Sequence, residues 1–310
     1  MKCCKGVFEG GGVRGIGHVG AACGMEQEGY RFESLAGSSA GAVVAALLAA
    51  GYECQELKRE METLNYRKFR GRDMVDNFGT VGKLLSLLFS LGVYNNRYLE
   101  RWMEQVLEAR GVRTFGDIHR RGKRLIIPVS DLSMRRLLIF PDDLSFLGLN
   151  PETFPVARAV LASSSIPVFF EPVSLRDAKG REHLLADGGL LSNFPIWAME
   201  AEEDPDCPTY GFQFLDRDEV AGADYWRVRH NLPDYLRALV STCMEAIDNS
   251  LRPEEDERQI VWISTTVGAG ERERTIHATD FDLTAEDCEG LFENGVRAVQ
   301  TYFSGKSITG

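Results

Sequence analysis

Leu35–Gly41, LAGSSAG, stands between a strand-like run, Phe32–Ala36, and a helix-like run, Ala40–Ala50, built only of glycine, alanine, valine and leucine before Gly51 ends it. A helix that is apolar on every side has no face to offer water, so it must be buried. The rest of the chain therefore has to fold around it. A strand feeding such a helix through a tight glycine turn reads as an opening βα unit. The turn itself is Gly37-x-Ser39-x-Gly41, the context in which a serine is lifted out on a sharp strand-to-helix bend. Ser39 then stands at the positive end of a helix, where developing negative charge is favoured. Ser38 is at the wrong position in the motif and faces the turn. The same five residues also serve a plain helix-capping turn, so the motif needs partners before it means chemistry.

The remaining pattern alternates. Strands are expected at Lys5–Glu9, Phe32–Ala36, Arg124–Val129, Leu137–Phe140, His183–Ala186, Tyr210–Leu215 and Gln259–Ser264, and helices at Gly15–Gln27, Ala40–Ala50, Glu53–Leu64, Leu84–Leu91, Asn96–Ala109, Thr153–Ala162, Asp234–Asn249 and Thr284–Phe303. Tyr66–Thr80 is polar and irregular. This order predicts an α/β layered fold with a mainly parallel sheet. No compositional break divides the chain, so residues 1–310 are expected to form one domain.

Composition narrows the partners. With 35 Lys and Arg against 46 Asp and Glu, the net charge of -11 opposes nucleic-acid phosphates and anionic lipid headgroups. Nucleic acid is not an expected partner. The seven cysteines are an odd set without a C-x-x-C pair, which suggests neither a disulfide framework nor a zinc site and fits a reducing compartment. Cys3 and Cys4 are candidates for acylation or, more plainly, residues of a first strand. MKCCKGVFEG lacks the apolar core of a secretory signal. The longest apolar runs fall short of the ~20 residues that cross a bilayer. A cytoplasmic location is the expectation, although export without a signal leaves no trace in a sequence.

A second glycine cluster, EGGGVRGIGHVG at Glu9–Gly20, follows a strand and opens a helix. It satisfies the dinucleotide pattern G-x-G-x-x-G, with Glu33 available for the ribose hydroxyls. It equally offers the backbone amides of Gly10 to Gly12 and their neighbours as donors to an oxyanion formed when Ser39 attacks a carbonyl. Serine needs a base. A serine, acid, histidine order is met by Ser39, Asp187 and His230 or His277, but none of the five histidines lies in a distinctive motif. Asp187, in LLADGGLLSNFP, follows a strand and precedes two glycines, so its carboxylate is presented in a cramped loop where burial tunes its basicity. Asp-Gly is also a common hairpin turn.

EGGGVRGIGHVG, GSSAG and DGG, in that order, resemble the three signature blocks of the patatin-like phospholipase family. RTFGDI at Arg113–Ile118, VSDLSMRRLLIF at Val129–Phe140 and ARAVLASSSIPVFFEPV at Ala157–Val173 extend the similarity over roughly residues 5–200. Residues 201–310 read as a generic α/β continuation. The resemblance implies a three-layer, patatin-like variant of the α/β-hydrolase type of fold. It implies a lipid acyl hydrolase in which Ser39 attacks the ester, Asp187 takes its proton directly, and Gly10, Gly11, Gly12 and the Arg14 amide hold the oxyanion. No metal or organic cofactor is implied. Glu9 departs from the small residue the family often has there. The Arg14 side chain is expected to fix the glycine loop, and Asn193 to tie down the loop after DGG.

The implied partner is a lipid acyl ester, met through transient contact with a membrane or micelle surface. The apolar stretch Gly82–Tyr94 is a candidate lid or core helix, and Arg67, Lys68, Arg70 and Arg72 form a local basic cluster. Two other readings stand beside this one: a nucleotide-binding oxidoreductase using Gly10–Gly15, and a noncatalytic lipid-binding protein on the same fold. The sequence is silent on oligomeric state.

Overall fold

A computed structural model describes residues 1–64, 92–94, 97–200, 204, 206–215, 235, 238, 239, 242 and 259–305 except 279. The basic cluster at Arg67–Arg72, most of the Gly82–Tyr94 stretch and most of the expected Asp234–Asn249 helix lie outside the described residues.

The first half runs β1 (Lys2–Phe8), α1 (Gly15–Gln27), β2 (Tyr30–Gly37), α2 (Ala40–Ala49), α3 (Cys54–Thr63), β3 (Gly92–Tyr94), α4 (Arg97–Ala109), α5 (Phe115–Arg120), β4 (Arg124–Asp131) and β5 (Arg136–Phe140). Then come α6 (Val156–Ser163), β6 (Val168–Phe170), β7 (Val173–Arg176), β8 (Glu182–Asp187), α7 (Trp197–Glu200), β9 (Thr209–Leu215), β10 (Ile260–Ser264) and α8 (Ala285–Ser304). One sheet has the order β10-β9-β1-β2-β4-β8-β7, with β5 also on β4. Its members from β10 through β4 are parallel, and β8, β7 and β5 join antiparallel. The sheet is thus mainly parallel, as the alternation implied, with an antiparallel side that short hairpin strands supply.

Strand side chains point alternately to the two faces. Phe8, Leu35 and Ile127 enter the large core beneath α1, α2 and α8, whereas Val7, Ala36 and Ile126 pack on the other face under Phe194, Ile196 and Met199. Helices therefore cover both sides, giving three layers. The helix ends are marked locally: Thr114 with Asp117 and Thr284 with Asp287 form capping boxes at α5 and α8. The apolar face of α4, Leu99, Trp102, Met103, Val106 and Leu107, follows the helical period and is buried.

The glycines of α1 serve packing. A Cβ at Gly20 would strike the carbonyl of Phe292, and one at Gly295 would strike the Gly17 carbonyl, so α1 and α8 touch backbone to backbone.

Cysteine usage corrects the sequence reading. Cys3 is bonded to Cys207 and Cys23 to Cys54, with Cα atoms 5.1 and 4.8 Å apart. These partners lie 204 and 31 residues apart in the chain, so spacing carried no signal of the pairing. The expectation that the cysteines form no disulfide framework does not hold for these four. Among the described residues no helix is long and apolar enough to cross a membrane.

Because the α1–α8 contact is main chain against main chain, no rotamer change relieves an added side chain there. Gly20→Val is expected to destabilise the fold by about 1–3 kcal/mol, read as a lowered urea midpoint with an unchanged slope.

Candidate active site

β1 and β2 end level with each other, Phe8 opposite Gly37, so the loop leaving β1 and the turn leaving β2 emerge together. Ser39 sits in that turn at φ 52 and ψ -120, a region that side-chain-bearing residues rarely adopt. The structure holds it there from several sides. Its carbonyl accepts from Ala42 and Val43, starting α2, and its amide donates to Ser163 Oγ at 3.2 Å. Ser38, as expected, turns inward: it is fully buried, and among the described residues its hydroxyl has no hydrogen-bond partner.

Asp187 closes β8, with Val129 of β4 opposite it. It is wholly buried. Its Oδ1 accepts from the Gly189 amide at 2.7 Å, and among the described residues Oδ2 has no hydrogen-bond partner. Loss of solvent pushes its pKa up to about 7, against the pull of the Gly189 amide and the Ser39 hydroxyl toward the charged form. Ser39 and Asp187 are thus brought together, close enough for the hydroxyl to act on the carboxyl. The direct hydrogen bond between them is not closed.

The glycine loop lies beside them. Gly12 has φ +56, and a Cβ there would collide with the Ala278 carbonyl, so the position accepts glycine alone without strain. The Gly10 amide donates to Asn193 O at 3.0 Å, Val13 to Ala278 O at 3.0 Å and Arg14 to Gly11 O at 3.1 Å. Among the described residues the Gly11 and Gly12 amides make no such bond, so two of the four expected oxyanion donors are engaged elsewhere and two remain. Ala40, which the sequence reading did not name, is the first residue of α2, lines the cavity beside Ser39 and carries an amide at a helix N-terminus. The position after the nucleophile was the signal that could have found it.

Around the loop, Arg14 lies over the Phe214 ring at 4.7 Å and its Nε donates to Gly11 O, fixing the loop as expected. Asn193 also ties loop to loop, its Nδ2 donating to Glu9 Oε1 at 3.4 Å. The Glu9 carboxylate accepts from the Phe214 amide at 2.7 Å, so the departure from a small residue joins the glycine loop to β9. His18 Nε2 donates to the Glu9 carbonyl at 2.8 Å, and burial drives its pKa down to about 3. It is a neutral structural histidine.

No described histidine hydrogen-bonds to Ser39 or Asp187. His183 is buried against Asp131 at 2.6 Å and Asp177 at 3.6 Å, His119 is exposed beside Glu152, and His277 is exposed. His230 lies outside the described residues. Glu33, the ribose candidate, is exposed in β2 four residues before Gly37, about 13 Å along the strand from the loop. Among the described residues one cluster has metal-ligand geometry, Cys3, Glu33 and Cys207, and its two thiols are bonded to each other.

A cavity opens beside Ser39 and Gly12. Its walls are apolar: Val43, Met61, Leu64, Leu99, Phe170 and Phe281. A lining of this kind suits a hydrocarbon chain attached to a polar reacting group.

The buried carboxyl has a thermodynamic signature. Unfolded, Asp187 titrates near the ordinary value of about 3.9; folded, near about 7. Between these the folded chain retains a proton that the unfolded chain has lost, so stability falls as pH rises through this window and levels off above it. Asp187→Asn has no such group. Its melting temperature relative to wild type is expected to climb from about pH 4 to about pH 7 and then hold, and an offset independent of pH in calorimetry would contradict the assignment.

Comparison with known proteins agrees with this architecture. A family model described as patatin-like phospholipase matches residues 6–199. YqhO of Bacillus subtilis (strain 168) is 36% identical over 299 residues, covering 96% of this chain and 97% of its own. The cGAMP-activated phospholipase of Escherichia coli is 29% identical over 206 residues, 61% of this chain, which spans about half (52%) of that protein. Among solved structures, VipD from Legionella pneumophila superposes with TM-score 0.58 at 17% identity, covering 98% of this chain and 67% of that one. ExoU, a type III effector, gives 0.54 at 16% identity over 98% of this chain and 53% of its own. With a match that spans more than half its length and includes the glycine loop, the serine turn and the Asp-Gly-Gly segment, the chain belongs to the patatin-like phospholipase family.

Proposed function

We propose that this lipid hydrolase is a serine acyl hydrolase of phospholipase A type that works with a Ser39–Asp187 dyad and no histidine. The observation that carries the reading is the meeting of a strained serine with a buried carboxyl whose second oxygen has no hydrogen-bond partner among the described residues, at the edge of an apolar cavity.

In the first half-reaction Ser39 Oγ attacks the ester carbonyl carbon and its proton passes to Asp187. The carbonyl oxygen becomes an oxyanion that the Gly11, Gly12 and Ala40 amides are available to receive. Collapse of this intermediate breaks the ester C–O bond, and the departing alcohol takes the proton from Asp187. The acyl chain is now on Ser39. In the second half-reaction water attacks that acyl carbon while Asp187 accepts its proton, and collapse releases the fatty acid and returns the proton to Ser39 Oγ. A base near pH 7 serves both directions of transfer, since neither protonation state is far out of reach.

The substrate reading rests on the cavity. Its apolar walls favour a fatty acyl chain over a short acid, and the relative named as a phospholipase supports the same class. The dinucleotide reading has less support, because Glu33 is remote from the loop and the Gly20 position is taken up in helix packing. Mild apolar contact with a lipid surface suits a chain of net charge -11 better than electrostatic docking does.

A fluorophosphonate probe tests the nucleophile. Wild type is expected to be labelled on Ser39 and Ser39→Ala to remain unlabelled; labelling that persists in the variant refutes the assignment. Asp187→Asn should lose at least about 100-fold in kcat on fatty acyl esters. The wild-type kcat/KM should rise with pH along a single acidic limb centred near about 7, the value set by burial of Asp187.

A further inference from the structure

The segment Ala162–Ser165, ASSS, ends α6 and has no place in the mechanism above. Its three serines nevertheless reach both members of the dyad. Ser163, fully buried, accepts the Ser39 amide on its hydroxyl at 3.2 Å. Ser164 Oγ donates to the Ser39 carbonyl at 3.3 Å. Ser165 turns its own carbonyl to the Asp187 amide at 2.9 Å, and its hydroxyl is held by the Leu161 carbonyl at 2.7 Å. Consecutive residues thus grip the nucleophile's peptide on two sides and the base's peptide on the third.

This grip matters because the two side chains do not fix each other. Among the described residues Asp187 Oδ2 has no hydrogen-bond partner, so the separation of hydroxyl and carboxyl is inherited from their backbones. The Ser39 carbonyl has helix amides to hold it, but its amide points away from α2 and finds its acceptor in Ser163. A buried N–H left without an acceptor is destabilising, and the loss falls on a residue already in a strained region.

We propose that Ser163 is a positioning residue, and the Ser163–Ser165 run the spacer that sets the distance between nucleophile and base. The proposal rests on the Ser39–Asp187 reading and adds to it that the dyad is assembled through α6. Removing the Ser163 hydroxyl lets the Ser39 peptide relax, and the hydroxyl moves off the carboxyl. Misplacement of reacting groups by about 1 Å is enough for losses near 100-fold.

The test compares wild type with Ser163→Ala, Ser163→Thr, Ser164→Ala and Ser39→Ala at 25 °C, with folding checked by circular dichroism and thermal melts. Phosphonylation rates by a fluorophosphonate and kcat and KM on a fatty acyl ester are measured across pH. For Ser163→Ala the expectation is a fall of 10- to 100-fold in both kcat and phosphonylation rate, KM within twofold of wild type, and an acidic limb moved to higher pH. The limb moves because the Ser39 hydroxyl no longer favours the carboxylate. Ser163→Thr keeps the acceptor oxygen and should recover most of the rate, while Ser164→Ala, whose partner carbonyl retains its helix amides, should lose less than Ser163→Ala. Wild-type kcat and an unmoved limb in a folded Ser163→Ala overturn the spacer. So does a rate loss seen only where the variant melts. If wild-type Ser39 is not labelled at all, the dyad itself falls and the spacer falls with it, whereas normal labelling in wild type and equally fast labelling in Ser163→Ala remove the spacer alone.

Discussion

Turning from β2 into α2 within three residues forces Ser39 into a backbone conformation worth about 1–3 kcal/mol of strain. Such a conformation persists only where neighbours over-determine it. Here they are the first amides of α2 on the carbonyl side, Ser163 on the amide side and the crowded passage of the Gly41 main chain beneath the Phe8 carbonyl. The bend depends in turn on α2 being free of side chains that need water, which its composition ensures.

Asp187 illustrates how burial alone raises the proton affinity of a carboxyl. No lysine or arginine is among the groups that set its ionisation; burial alone raises it, and one amide and one hydroxyl moderate the effect. The histidines that might have competed are put to other work. His18 is neutralised in the core to hold the glycine loop, and His183 is enclosed by two aspartates at the start of β8, four residues from Asp187. The positions are consistent with a site whose electrostatics come from exclusion of solvent and main-chain dipoles.

Much of this was visible in the residues. α1 begins and ends where its periodicity predicts, and α2, uniformly apolar, differs by one residue, because both are bounded by glycine or polar turns. The central strands were each found within a few residues. What escaped is short or non-local. β6 and β7, with three and four residues, are too brief to show a period, and α5 is a six-residue helix announced only by its Thr114–Asp117 box. The disulfide partners and the role of ASSS depend on which segments meet in space. The engagement of the Gly10 and Arg14 amides was equally hidden, since a backbone donor looks the same in every glycine-rich run.

The recognisable family pattern stops near residue 199, yet the loop over the site leans on the C-terminal third of the chain: Ala278 and Phe292 present carbonyl oxygens to Gly12 and Gly20, and the Phe214 amide anchors Glu9. Each of these later groups belongs to the peptide unit, which is common to all side chains. Drift in residue identity beyond that point can therefore leave the cradle intact, whereas excising the segment would strip the loop of its floor. Homology read from side chains and the physical extent of the catalytic unit need not share a boundary.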